Sequence, residues 1–165
     1  MISKLILGTV QLGLDYGINN TQGKPTAKEA HRILDCAYDA GIRSLDTAAA
    51  YGTSHEVLGS WFAQGGKKDM QVYTKLAPNV DLQKNTVSQF LSELNIDILA
   101  GLSFHRLADY KSCHAHRRDE LLAIVNSPSV KKLGVSMHSN EELEFCGSRE
   151  EITLAQLPYN AFDNA

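Results

Sequence analysis

Short β-rich apolar runs alternate with helix-forming segments along the whole chain, with strands starting near residues 5, 42, 70, 97, 131 and 152. The repeat is about thirty residues, the length of one strand–helix unit. Strands joined by helices must run parallel, through right-handed crossovers, so a parallel α/β sheet is the expected core. Runs such as LILGTV at 5–10 and DILAGL at 97–102 are apolar at successive positions, as strands covered on both faces require.

The individual elements follow from local signals. Leu5–Val10 reads as the first strand. Thr26-Ala27-Lys28-Glu29 is a capping box opening a helix whose apolar face runs through Ala30, Ile33, Leu34, Ala37 and Tyr38, with Gly41 as its left-handed stop. Ile42–Asp46 is the second strand. Ser54 caps a helix to about Ala63, closed by Gly65-Gly66, and Met70–Lys75 is the third strand. A second box, Thr86-Val87-Ser88-Gln89, starts the next helix, and the fourth strand lies within Ile96–His105. Asp119–Asn126 is a helix, Val130–Ser136 the fifth strand, Glu141–Phe145 a short helix and Ile152–Pro158 the sixth strand.

An open doubly wound sheet and a closed (β/α) barrel both fit this order. The doubly wound fold calls for G-x-G-x-x-G after an early strand. The first turn instead gives Gly8-Thr9-Val10-Gln11-Leu12-Gly13, with the wrong glycine spacing. The barrel is therefore expected. A barrel takes about 250 residues and eight strands, whereas 165 residues give six. The expectation is one incomplete TIM-type barrel domain over 1–165, with strands one and six as open edges that a second copy or a partner chain would cover.

Composition excludes several classes of function. Net charge is −3, with Lys and Arg scattered, so no nucleic-acid footprint is expected. No apolar run approaches a membrane span, and Met1-Ile2-Ser3-Lys4 leads straight toward a strand, so no signal peptide is expected. Cys36, Cys113 and Cys146 lack metal-ligand spacing and read as reduced thiols in a cytoplasmic protein. His31, His55, His114, His116 and His138 read as surface or turn residues. Tyr16, Trp61 and Tyr110 are candidates for the mouth of the barrel.

Four side chains at successive strand ends form a chemical set: Asp46, Tyr51, Lys75 and His105. Strand–helix barrels do their chemistry at that end. An ammonium next to a phenol favours the phenolate. Lys75 could serve Tyr51 in this way, with Asp46 holding the lysine in place and His105 donating to a carbonyl oxygen. Such a set is a general acid aimed at a developing oxyanion, which suits hydride addition to a carbonyl. A Schiff-base aldolase through Lys75 is a different use of a strand-end lysine, although Asp46 would favour its charged form.

DTAAAYG at 46–52 resembles the D-T-A-x-x-Y-G signature of the aldo-keto reductase family, NAD(P)H-dependent (β/α)8-barrel oxidoreductases. Further similar stretches are LILGTVQLGLDYGI at 5–18, GIRSLDTAAAYGTSHEVLG at 41–59, VYTKL at 72–76, IDILAGLSFHR at 96–106, KKLGVSMHS at 131–139 and LAQLPYNAFD at 154–163. The resemblance implies that Asp46, Tyr51, Lys75 and His105 are the catalytic tetrad, with Tyr51 as proton donor to a small aldehyde or ketone. It implies that Ser136 and Gln156 bind the carboxamide of NADPH or NADH. Ser136-Met137 departs from the Ser-Asn of many members, and the segments that grip the cofactor's phosphates in the family lie in strands seven and eight. The alternative is a catalytically silent relative that docks through its open barrel edges.

Overall fold

The computed structural model describes residues 4–65, 67, 69–79 and 82–159. Six strands form one all-parallel sheet in sequential order: β1 (Leu7–Gly8), β2 (Ser44–Asp46), β3 (Gln71–Lys75), β4 (Gly101–Phe104), β5 (Leu133–Ser136) and β6 (Ile152–Gln156). Each strand pairs with the next, and among the described residues β1 and β6 are the two edges. An unbroken sequential order is that of a barrel wall, whereas a doubly wound sheet reverses its order at the centre. The expected incomplete TIM-type barrel of six strands is the observed one.

Alternation along the strands separates two surfaces. Leu45, Val72, Leu102, Phe104, Leu133 and Val135 point outward and are almost fully buried beneath the helices. Tyr73, Lys75, Gly101, Ser103, Ser136 and Gln156 occupy the opposite parity, on the barrel's inner face. A Cβ at Gly101 would come within 2.7 Å of both the Tyr73 ring and the Leu154 side chain. The absence of a side chain there makes room for those two large groups.

The helices are α1 (Val10–Gly13), α2 (Ala27–Asp39), α3 (Ser54–Phe62), α4 (Thr86–Leu94), α5 (Leu107–His116), α6 (Arg118–Val125) and α7 (Asn140–Gly147). Thr26 and Glu29 form the expected reciprocal capping box at α2. The helix ends in a Schellman motif, with Gly41 (φ +90°) donating to Tyr38 and Ile42 to Ala37. Asn95 (φ +53°) closes α4 in the same way, through Asn95 to Ser92 and Ile96 to Leu91. Trp61 is buried between α2 and α3 and donates its Nε1–H to Asp35 at 3.0 Å.

Several local expectations need correction. The first strand covers only Leu7–Gly8, because Thr9 turns its hydroxyl to the Asp46 carbonyl and the chain curls into α1. Ser54 does not cap α3; Thr53 stands at that position, and the Ser54 hydroxyl is used in the core. Thr86 is not a cap either, since its hydroxyl accepts from the Gln83 N–H and Asn85 precedes the helix. Helix α5 was not expected. Its inward residues Leu107, Tyr110 and Cys113 recur every third position in an otherwise polar segment. The expected stop at Gly66 lies outside the described residues. No helix among the described residues is long and apolar enough to cross a membrane.

Candidate active site

Parallel pairing in register carries the ends of β2 to β6 to one rim of the sheet. Asp46 is the last residue of β2, Lys75 the last of β3, and His105 follows β4 directly. Tyr51 sits in the turn between β2 and α3. The four expected residues therefore converge.

Lys75 is the centre of the group and only 4% exposed. Its Nζ donates to Asp46 Oδ1 at 2.6 Å and Oδ2 at 2.8 Å, and to the Thr47 carbonyl at 3.3 Å. The Tyr51 hydroxyl lies 3.5 Å from the same nitrogen. A buried ammonium needs an anionic partner and full hydrogen bonding, and Asp46 with the Thr47 carbonyl supplies both. The ammonium is thus held by its carboxylate with one direction left toward the phenol.

His105 faces Tyr51 edge-on, with ring centroids 6.3 Å apart and planes at 86°. Burial first, and the Lys75 charge second, hold its pKa below the ordinary imidazole value, so the ring is neutral at physiological pH. Its Nδ1 is buried without a hydrogen-bond partner.

Ser136 and Gln156 are paired in register at the ends of β5 and β6. The Gln156 Nε2 reaches Asp46 Oδ1 at 3.5 Å, so β6 curls toward β2 across the rim. Met137 is fully buried on the opposite parity and offers no amide to the site.

Other candidates lie elsewhere. Trp61 and Tyr110 are each 1% exposed in the helix layer and do not line the mouth, whereas Tyr16 is exposed. Tyr110 donates to Glu151 at 2.7 Å, and burial together with that carboxylate raises its pKa strongly. His55 is a core residue and not a surface one. Its ring bridges Glu93 at 3.0 Å and Thr74 at 2.8 Å beneath the sheet. Thr9 and Thr47, which no expectation singled out, and Ser54, expected only as a helix cap, are three fully buried hydroxyls near the Tyr51 turn. Their signal was position: Thr9 and Thr47 each directly follow a strand. Among the described residues, no three His, Cys, Asp or Glu side chains converge as a metal site.

The model of the aldo/keto reductase family matches residues 4–165. The chain belongs to that family. Aldo-keto reductase str7 of Strobilurus tenacellus is 29% identical over 142 residues, covering 81% of this chain and 42% of its own length. Aldo-keto reductase YhdN of Bacillus subtilis is 28% identical over 175 residues, covering 98% of this chain and 51% of its own length. This member of the family therefore spans about half the length of these relatives. A crystal structure described as an aldo-keto reductase from Pseudomonas aeruginosa superposes with a TM-score of 0.79 at 26% identity, over 98% of this chain and 65% of that one.

Proposed function

We propose that the chain carries the carbonyl-reducing site of an NAD(P)H-dependent oxidoreductase, converting an aldehyde or ketone to an alcohol with Tyr51 as proton donor. The observation that carries this reading is the Asp46–Lys75–Tyr51 series, in which a buried ion pair points its ammonium at a phenol hydroxyl. A reduced nicotinamide, when bound, supplies the hydride. As negative charge develops on the carbonyl oxygen, the Tyr51 O–H bond breaks and the proton passes to that oxygen. The Lys75 ammonium stabilises the phenolate left behind, and Asp46 keeps the ammonium in place. Neutral His105 donates a hydrogen bond to the same oxygen and orients it.

The residues present fit the cofactor's amide. Ser136 offers a hydroxyl and Gln156 both a donor and an acceptor, from neighbouring strand ends. These are the groups a carboxamide needs on its two edges. Lys75 is poorly suited to Schiff-base chemistry, because its nitrogen is committed to Asp46 and the Thr47 carbonyl. The three free thiols suit a reducing, cytoplasmic setting. Titrating the chain with NADPH while following nucleotide fluorescence tests the fit. Saturable binding weakened about tenfold by Gln156→Ala is expected for a lost pair of amide hydrogen bonds. Binding unaffected by Gln156→Ala would remove that residue from the cofactor site.

A second reading rests on the apolar surface flanking β1, where Leu5, Ile6 and Ile18 are all more than half exposed. On this reading the protein is an interaction module docking through its sheet edges. It would form a stable complex equally well with Tyr51→Phe or Lys75→Met, whereas the enzyme reading makes those variants inactive.

A further inference from the structure

The turn that carries Tyr51 rests on an unusual foundation. Thr9, Thr47 and Ser54 are fully buried, and their hydroxyls meet beneath it. The Ser54 hydroxyl lies 2.9 Å from that of Thr9 and 3.0 Å from that of Thr47. The Thr9 hydroxyl also lies 2.9 Å from the Asp46 carbonyl and the Ser54 hydroxyl 3.2 Å from the Thr9 carbonyl, so three hydroxyl protons are shared among four contacts. A buried hydroxyl is costly unless bonded. These three are bonded to one another and to the carbonyls of Thr9 and Asp46, which ties β1, the end of β2 and the start of α3 into one fixed arrangement.

A second contact also holds the turn. A Cβ at Gly13 would overlap the Tyr51 carbonyl oxygen and stand 2.5 Å from the Ser54 nitrogen. Gly52 (φ +55°) returns the approach, with its own Cβ position 2.5 Å from the Gly13 oxygen. Backbone thus packs directly on backbone where Gly13 meets the segment from Tyr51 to Ser54. The Tyr51–Lys75 separation of 3.5 Å is at the outer limit of a hydrogen bond, so a small displacement of the turn would break it.

We propose that the Thr9–Ser54–Thr47 hydroxyl cluster, with the close approach of Gly13, is a clamp that sets the Tyr51 hydroxyl against Lys75. Thr9 and Ser54 are then positioning residues for the proton transfer. This rests on the reading of Tyr51 as proton donor.

The test uses the 165-residue chain labelled with [13Cζ]tyrosine, the Tyr51 resonance being assigned by its loss in Tyr51→Phe. Thr9→Val removes a hydroxyl at nearly constant volume, Thr9→Ser keeps it, and Ser54→Ala removes the second. Leu121→Ala, in the buried face of α6, is the control for general destabilisation. Thr9→Val and Ser54→Ala should shift or split the Tyr51 resonance alone among the tyrosines, and Thr9→Ser should leave it in place. With NADPH and an aldehyde, kcat should fall about tenfold in the first two at nearly constant KM, as expected for a misplaced catalytic group. The clamp is overturned if Tyr51 is unmoved in Thr9→Val, or moves equally in Leu121→Ala. The Thr9 pair decides the matter even where Ser54→Ala does not fold. Absence of turnover in the unmodified chain would refute the enzyme reading, while the Tyr51 resonance still decides the clamp.

Discussion

Removing the carboxylate from the Lys75 ion pair should cost far more than removing the ammonium. The Lys75 side chain is 5% exposed and the Asp46 side chain 22%. Asp46→Asn leaves a buried ammonium with only the Thr47 carbonyl and neutral oxygens as partners. Stranding one member of a buried pair costs about 3–5 kcal/mol, which corresponds to a fall in Tm of roughly 6–20 °C for a chain of this size. Lys75→Met leaves a carboxylate that water reaches and that Gln156 can still approach, so about 1–2 kcal/mol is expected. The double variant should be more stable than Asp46→Asn alone, because no charge remains buried. Urea unfolding of the four proteins measures the cycle, with a coupling of at least about 1.5 kcal/mol expected for contacting groups. Equal costs for the two single variants, or a coupling near zero, would refute the assignment of Lys75 as the buried, dependent charge.

Two further outcomes follow from the same geometry. Because the folded pKa of His105 is depressed, the unfolded chain takes up the proton first as pH falls below about 6.5. His105 therefore contributes nothing above that pH and subtracts stability below it; His105→Gln should flatten the loss of Tm on the acid side, and an unchanged acid limb would contradict this. Gly59→Ala should destabilise, although Gly to Ala inside a helix ordinarily stabilises by about 0.5–1 kcal/mol. The new Cβ would overlap the Glu93 carbonyl where α3 meets α4, at a cost of about 1–3 kcal/mol; a rise in Tm would show that the two helices part easily.

The strand–helix period was legible because buried parallel strands demand apolar residues on both faces, and here those runs recur regularly. That Asp46, Lys75 and His105 share one rim was legible because strand ends in such a sheet do so, whatever fills the loops, and Tyr51 follows Asp46 in the next turn. What escaped depends on contacts distant in sequence. Ser54 looks like a helix cap locally, yet its hydroxyl is drawn to Thr9, 45 positions away. His55 looks like a surface residue until β3 and α4 supply Thr74 and Glu93. Helix α5 escaped because three inward residues give a weak amphipathic signal.

In the proposed reaction Tyr51 gives a proton to a carbonyl oxygen at this site. Oxidation of NADPH at 340 nm in the presence of an aldehyde panel, by the unmodified chain and by Tyr51→Phe, tests it most directly. Turnover by the unmodified chain is expected, with a loss of at least about 100-fold in the variant, the scale of a general acid, and NADPH binding retained. Turnover that survives Tyr51→Phe, or a folded chain that neither binds NADPH nor reduces any aldehyde, would contradict it.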